Sequence, residues 1–170
     1  MKLMPICHSM YKELYEWRSD PFAVRHNPFS KCEFDGFCKT MDQMEKDFKK
    51  IYGSHGLKLA LTEGESLLAL VGLSNINSMM KTAEIGYQVS PKHRNKGIGT
   101  YAVKEFICLA FKHTNLRKIT ASIAAENFPS CKLVEKVGFT QEGLLRQHYL
   151  INDLPVDEKI YGILRDELNE

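Results

Sequence analysis

A chain of 170 residues can bury one hydrophobic core without disulfides or metals as staples. Its 44% hydrophobic and 26% charged residues are ordinary for a soluble domain, and a formal net charge of +2 is too small to mark a partner of nucleic acid or an anionic membrane. Five cysteines (Cys7, Cys32, Cys38, Cys108, Cys131) form no even framework and no CxxC pair, which argues against a disulfide scaffold or a zinc site and suits a reducing, cytoplasmic setting. No signal-like or membrane-spanning apolar run is present.

The pattern predicts a strand over Lys2 to Cys7 and a helix capped by Ser9 through Arg18, with Met10, Leu14 and Trp17 at helical spacing. Asp20 to Lys39 carries Pro21, Pro28 and Gly36 and reads as loop or broken helix. Thr40-Met41-Asp42-Gln43 then reads as a capping box for a helix to Tyr52, with Met41, Met44, Phe48 and Ile51 on one apolar face. Strands follow at Leu57 to Thr62 and Ser66 to Asn75, around the turn Glu63-Gly64-Glu65, and at Ala83 to Ser90. Thr100 to His113 has a helical stripe, Lys118 to Ala124 is a strand, and Pro129 to Val137 is a helix ending at Gly138. Strands over Phe139 to Ile151 and Val156 to Leu164 flank the turn Asn152-Asp153-Leu154. The order implies an α/β single domain over residues 1–170: a mixed, mostly antiparallel seven-stranded sheet with helices on both faces.

The most informative segment is Val89-Ser90-Pro91-Lys92-His93-Arg94-Asn95-Lys96-Gly97-Ile98-Gly99-Thr100. A polar, basic loop closes on two glycines directly before an amphipathic helix. Glycine lets the main chain approach a ligand closely, and the first N–H groups of the helix point at the loop with the positive end of its dipole. With Arg94 and Lys96 beside them, these donors describe a phosphate cradle. Gly97 to Ala102 also fits GxGxxA, the dinucleotide fingerprint. That reading fails because a polar run separates strand from glycines and the next strand opens on Arg117 and Lys118 rather than ending on an acid.

Arg94-Asn95-Lys96-Gly97-Ile98-Gly99, placed between the fourth strand and the following helix, resembles the Q/R-x-x-G-x-G/A signature of the GNAT N-acetyltransferase superfamily. Ala83 to Tyr87, Asn127 to Ser130, Glu135 to Phe139, Glu142 to Arg146 and Val156 to Tyr161 resemble its RimJ/RimL-type branch. The resemblance implies an acetyl-CoA-dependent N-acetyltransferase in which residues 83–139 bind the cofactor and 19–56 form the acceptor side. The fourth and fifth strands would splay to open a cofactor slot. Val89, Arg94, Asn95, Lys96, Gly97, Ile98, Gly99 and Thr100 would hold acetyl-CoA, the main chain of Val89 pairing with its pantetheine arm. Direct attack by an amine in a ternary complex is implied, without a metal and without a cysteine nucleophile.

Such a transfer needs a neutral nitrogen, a stabilised oxyanion and a neutralised thiolate. Glu84, on an apolar strand, is the first candidate to take the amine's proton; its alternative is a structural acid bonded to a neighbouring strand or to the substrate ammonium. Some members of the family place a carboxylate on the sixth strand, about where Tyr149 stands, so Tyr149 is either catalytic or touches substrate, as does His148. The tyrosine acid of many relatives falls at Val134 here. Ser130 is the replacement donor to sulfur, with Asn127 positioning pantetheine or a water, and both also suit a helix cap.

Trp17, Arg18, Arg25, Phe29 and Phe34 are candidates for reading the acceptor, with Trp17 equally suited to the core and Arg18 to a helix C-terminus. A small-molecule amine, an amino sugar and a protein N-terminus all remain open. The absent tyrosine leaves a second class, a catalytically silent acetyl-CoA-binding regulatory module. No nucleic acid or membrane partner is expected, and a homodimer is expected by analogy only.

Overall fold

A computed structural model describes residues 1–26, 33–52 and 58–168, and of residues 44–52 the backbone alone. The chain runs β1 (Lys2–Pro5), α1 (Tyr11–Arg18), α2 (Pro21–His26), α3 (Phe34–Tyr52), β2 (Lys58–Glu63), β3 (Ser66–Asn77), β4 (Thr82–Val89), α4 (Ile98–His113), β5 (Lys118–Ala124), α5 (Phe128–Val137), β6 (Thr140–Ile151) and β7 (Leu154–Leu164). The seven strands form one sheet in the order β1-β2-β3-β4-β5-β7-β6, antiparallel except where β4 meets β5.

Strand alternation distributes the helices. Adjacent residues of β2 point to opposite faces, so Ala60 packs with Tyr11, Leu14, Trp17, Phe37 and Met41 of α1 and α3, while Leu61 packs with Ala102 of α4. The larger cluster lies on the α4 and α5 side, where Val103, Phe106, Ile107 and Val134 meet Val71, Ile85, Ile119 and Tyr161. Arg165 closes it from outside. Its guanidinium donates to the carbonyls of Phe111 in the last turn of α4 and of Thr114 and Leu116 just past it, where a cation complements the helix dipole.

Two local expectations need correction, and a third is resolved. Ser9 does not cap a helix: its hydroxyl lies 3.0 Å from Cys7 Sγ, in a short 3-10 turn, and α1 starts at Tyr11 without a side-chain cap. The stretch from Asp20 to Lys39, expected as loop or broken helix, holds α2 and the start of α3: Asp20 Oδ2 accepts the N–H groups of Phe22 and Ala23, and Pro21 occupies the first helical position, where its missing donor costs nothing. Thr40 is no capping residue either. It lies inside α3, its hydroxyl donating to Gly36 O at 2.9 Å, since the helix had already begun at Phe34 and buried Phe37. By contrast, Gly138 ends α5 at φ +113, its N–H reaching Val134 O and Glu135 O.

Phe106 is fully buried between α4 and the sheet. Truncation to alanine is expected to cost about 3–5 kcal/mol by lost transfer energy plus cavity, read as a lower urea midpoint at unchanged slope.

Candidate active site

β4 pairs with β3 along its whole length, from Thr82 opposite Asn77 to Val89 opposite Ala69. With β5 it pairs only at Thr82, Ala83 and Glu84, whereas β5 continues beside β7 to Ala124. Beyond Glu84 the two parallel strands part. Ser90 N–H reaches Leu68 O at 2.9 Å, on the β3 side. In an extended strand alternate residues turn their N–H and C=O groups to opposite edges, so Val89, Tyr87 and Ile85 present theirs to the gap. A cleft of about 810 Å³ opens there, lined along both strands and at the first turns of α4 and α5.

Gly97 stands ahead of α4 at φ +77, in the left-handed region that glycine adopts without a Cβ penalty. A Cβ on Gly99 would lie 2.6 Å from Leu133 Cδ1 and 3.0 Å from Val89 Cγ2, so its absence lets α4 approach β4 and α5. Gly97, Ile98, Gly99 and Thr100, at the start of α4 where N–H groups are free, line the cleft, and so do Arg94 and Asn95 of the preceding loop. Lys96 does not line it; its ammonium lies on Lys92 O at 3.4 Å. Arg94 is held as well as charged: it lies 2.7 Å from Asp20 Oδ2 and 4.7 Å above the Phe22 ring, which joins the loop to α2.

The same alternation sorts the side chains in the gap into two groups. On the α4 and α5 side, Asn127 caps α5 by accepting Ser130 N–H at 3.3 Å, and the Tyr87 hydroxyl donates to Ser130 O at 3.3 Å. Burial pushes the Tyr87 phenol up to about 12, against the lowering pull of the Ser130 side chain, so it stays a protonated donor at neutral pH. On the opposite face stand Glu84, Ser122 and Tyr149. Asn75 Nδ2 donates to Glu84 Oε2 at 2.6 Å, and Tyr149 donates to Glu158 Oε1 at 2.6 Å. The Tyr149 phenol is raised above its usual range, first by burial, then by the bond to and charge of Glu158 and the charge of Glu84.

Of the residues expected to touch the acceptor, Tyr149 lines this cleft, whereas Trp17, Arg18, Arg25 and Phe34 do not. Trp17 is only 4% exposed in the α1–α3 core, Arg18 sits 5.5 Å over the Phe37 ring, and Phe34 packs edge-on to Tyr15. Arg25 is exposed at the end of α2, and Phe29 lies outside the described residues. Phe22, Ala23 and His26 of α2 line it instead, and burial together with Arg25 holds the His26 pKa below its ordinary value, against the pull of Glu126. Sequence reading passed over these residues because a six-residue helix shows no periodicity. Tyr87 had a usable signal, the alternation Ile85-Tyr87-Val89 at the strand's gap-facing edge. Among the described residues no three His, Cys, Asp or Glu side chains gather as a metal site, and no helix is long and apolar enough to cross a membrane.

Residues 1–140 match the family model of the acetyltransferase (GNAT) domain. The chain is 30% identical over 122 residues to the putative ribosomal N-acetyltransferase YdaF of Bacillus subtilis, covering 71% of this chain and 67% of that protein. It is 28% identical over 131 residues to a spermidine N(1)-acetyltransferase of Vibrio cholerae, covering 76% of each. In fold it is similar to the V. cholerae spermidine N-acetyltransferase solved with CoA and spermine, at TM-score 0.85 and 22% identity over 98% of this chain and 96% of that one. Mycobacterium smegmatis RimJ in complex with CoA-disulfide gives a TM-score of 0.83 at 19% identity, over 99% and 83%.

Gly99→Val is expected to overpack the contact with Leu133 and Val89, costing about 1–3 kcal/mol; equilibrium urea unfolding measures it.

Proposed function

The chain belongs to the GNAT acetyltransferase family and is an acetyl-CoA-dependent N-acetyltransferase, and we propose how its residues divide the work across the parted strands. The observation that carries the reading is the loss of β4–β5 pairing beyond Glu84, which leaves strand-edge donors facing a cleft that ends on a helix N-terminus. A ligand with an extended amide arm and a pyrophosphate satisfies both halves of that surface. Its binding region spans residues 83–139 of one domain, 1–170, with acceptor elements within 19–56.

When bound, acetyl-CoA supplies an activated acetyl thioester. Gly97 to Thr100 hold its pyrophosphate through backbone N–H groups, and Val89 N–H is oriented to polarise its carbonyl. The Ser130 hydroxyl donates to the departing sulfur, with Asn127 fixing the turn that carries it. Glu84, anchored by Asn75, draws the ammonium by charge on the opposite face, and Tyr149 faces the nitrogen. Two carboxylates on that face, Glu84 and Glu158, favour a cationic primary amine, either a polyamine or a protein N-terminus. The related proteins above are named as transferases, which gives the silent binding module no support. The four described cysteines are free thiols, in keeping with a cytoplasmic setting. A homodimer belongs to the same reading, and a light-scattering mass of 19.5 kDa would remove it.

Acetyl-CoA and CoA are expected to raise the melting midpoint of the wild type and not of Gly97→Glu, in which a charged side chain meets both positive φ and the phosphate site. In a CoA-release assay with spermidine and a short peptide as acceptors, Ser130→Ala is expected to lower kcat by about 10²-fold. Glu84→Gln is expected to raise the acceptor's KM about tenfold, or about 1.4 kcal/mol. No turnover with either amine would sink the acceptor reading.

A further inference from the structure

Glu158 of β7 is the one buried acid among the described residues, 3% exposed, and beyond its charge it has been given no part in the chemistry. A carboxylate taken out of water must be partnered closely to remain ionised. Both its oxygens are engaged by neighbouring residues of β6: Tyr149 donates its hydroxyl to Oε1 at 2.6 Å, and His148 Nε2 lies 3.3 Å from Oε2. Consecutive residues of a regular strand point to opposite faces. Here they converge because β6 is bulged. Leu145 pairs with Glu158 and Tyr149 with Val156, so four steps along β6 oppose two along β7. Gln147 takes φ +51 in that bulge and its N–H is held by Asp157 Oδ1 at 2.8 Å. The ends of the chain of contacts differ in kind. Tyr149 lines the acceptor side of the cleft, whereas the His148 side chain is 56% exposed to solvent.

We propose that Tyr149, Glu158 and His148 form a proton exit from the acceptor nitrogen to bulk water, with Tyr149 the catalytic contact and Glu158 and His148 the residues that act through it. The inference rests on the transferase reading above. The proton shed by the nitrogen is accepted by Tyr149 Oη as the phenol passes its own proton to the Glu158 carboxylate. After rotation the carboxyl group gives a proton to neutral His148 Nε2, and the imidazolium releases it to water. No heavy-atom bond changes and nothing is oxidised. The groups that face Tyr149 fit a route rather than a resting ion: Glu158 from β7, Glu84 from β4, and the Ser122 hydroxyl from β5. Burial first, then the bond to and charge of Glu158 and the charge of Glu84, keep the phenol protonated against the pull of the Ser122 hydroxyl, so it hands protons on without accumulating as tyrosinate. Glu84 is partly exposed and tied to Asn75, and it takes no part in this route.

The test compares wild type, Tyr149→Phe, Glu158→Gln and the double variant by CoA release with spermidine as probe amine, across pH. Near neutral pH each single variant is expected to lose about 10²-fold in kcat/KM. The double variant should lose no more than the worse single one, as members of one route do. The loss should fade above about pH 10.4, where most of a primary amine is neutral in solution and brings no ammonium proton to be carried away. His148→Ala should lose less and recover with added imidazole. A readout without turnover comes from proton NMR of the ligand-free protein: a downfield hydroxyl signal from the short Tyr149–Glu158 bond, absent in Tyr149→Phe and shifted in Glu158→Gln. Retained CoA-induced melting shifts establish that the variants fold, and should Glu158→Gln fail that check, Tyr149→Phe decides alone. Wild-type rates in the variants, or a loss equal at every pH, would overturn the relay while leaving the transferase intact. A wild type that binds acetyl-CoA but releases CoA with no amine would remove the transferase reading and the relay with it.

Discussion

Backbone groups on a strand edge have to be paired, and in this protein one edge is left open on purpose by geometry. β4 is fully paired to β3, yet only its first three residues meet β5. The edge from Ile85 to Val89 therefore lies inside the molecule without a strand beside it, a situation that would be costly unless something extended and polar takes the place. The rest of the site follows from that gap. α4 begins where β4's loop ends, so its N-terminal donors sit at one end, and α5 begins where β5 ends, so Asn127 and Ser130 sit along its side.

Because successive strand residues face opposite ways, a gap between strands is also a passage between the two faces of the sheet. Tyr87 and Ser130 stand on the helix side, Glu84, Ser122 and Tyr149 on the other. A donor and an acceptor can thus approach one reacting carbon from opposite faces without competing for contacts. The Arg94–Asp20 ion pair joins the two halves, since Asp20 also caps α2, whose Phe22 and His26 wall the cleft. A residue expected to serve the phosphate alone is therefore also a strut for the acceptor side.

Legibility in the sequence varied with the range of the interaction involved. The glycine loop, the strand before it and the helix after it were readable because Gly97, the basic flank and the apolar stripe of α4 are local signals. Gly138 likewise announced the end of α5. Of the two readings open for Trp17, acceptor contact or core, the core holds, and Arg18 lies over the Phe37 ring rather than at the acceptor. The start of α3 was misread because Thr40 resembles a cap, while what begins the helix there is the burial of Phe37 against Tyr11 and Tyr15.

The sequence by itself determined the element order, the family and the glycine loop before α4, all of which rest on signals between residues close along the chain. Only the tertiary structure decided where β4 and β5 part, which face each polar side chain takes, and that Glu158 meets both His148 and Tyr149. Asp157-Glu158 reads as an ordinary charged pair on a strand. Its burial depends on a bulge in β6 and on a pairing register that no local pattern encodes, because a shift of one residue would turn every side chain to the other face.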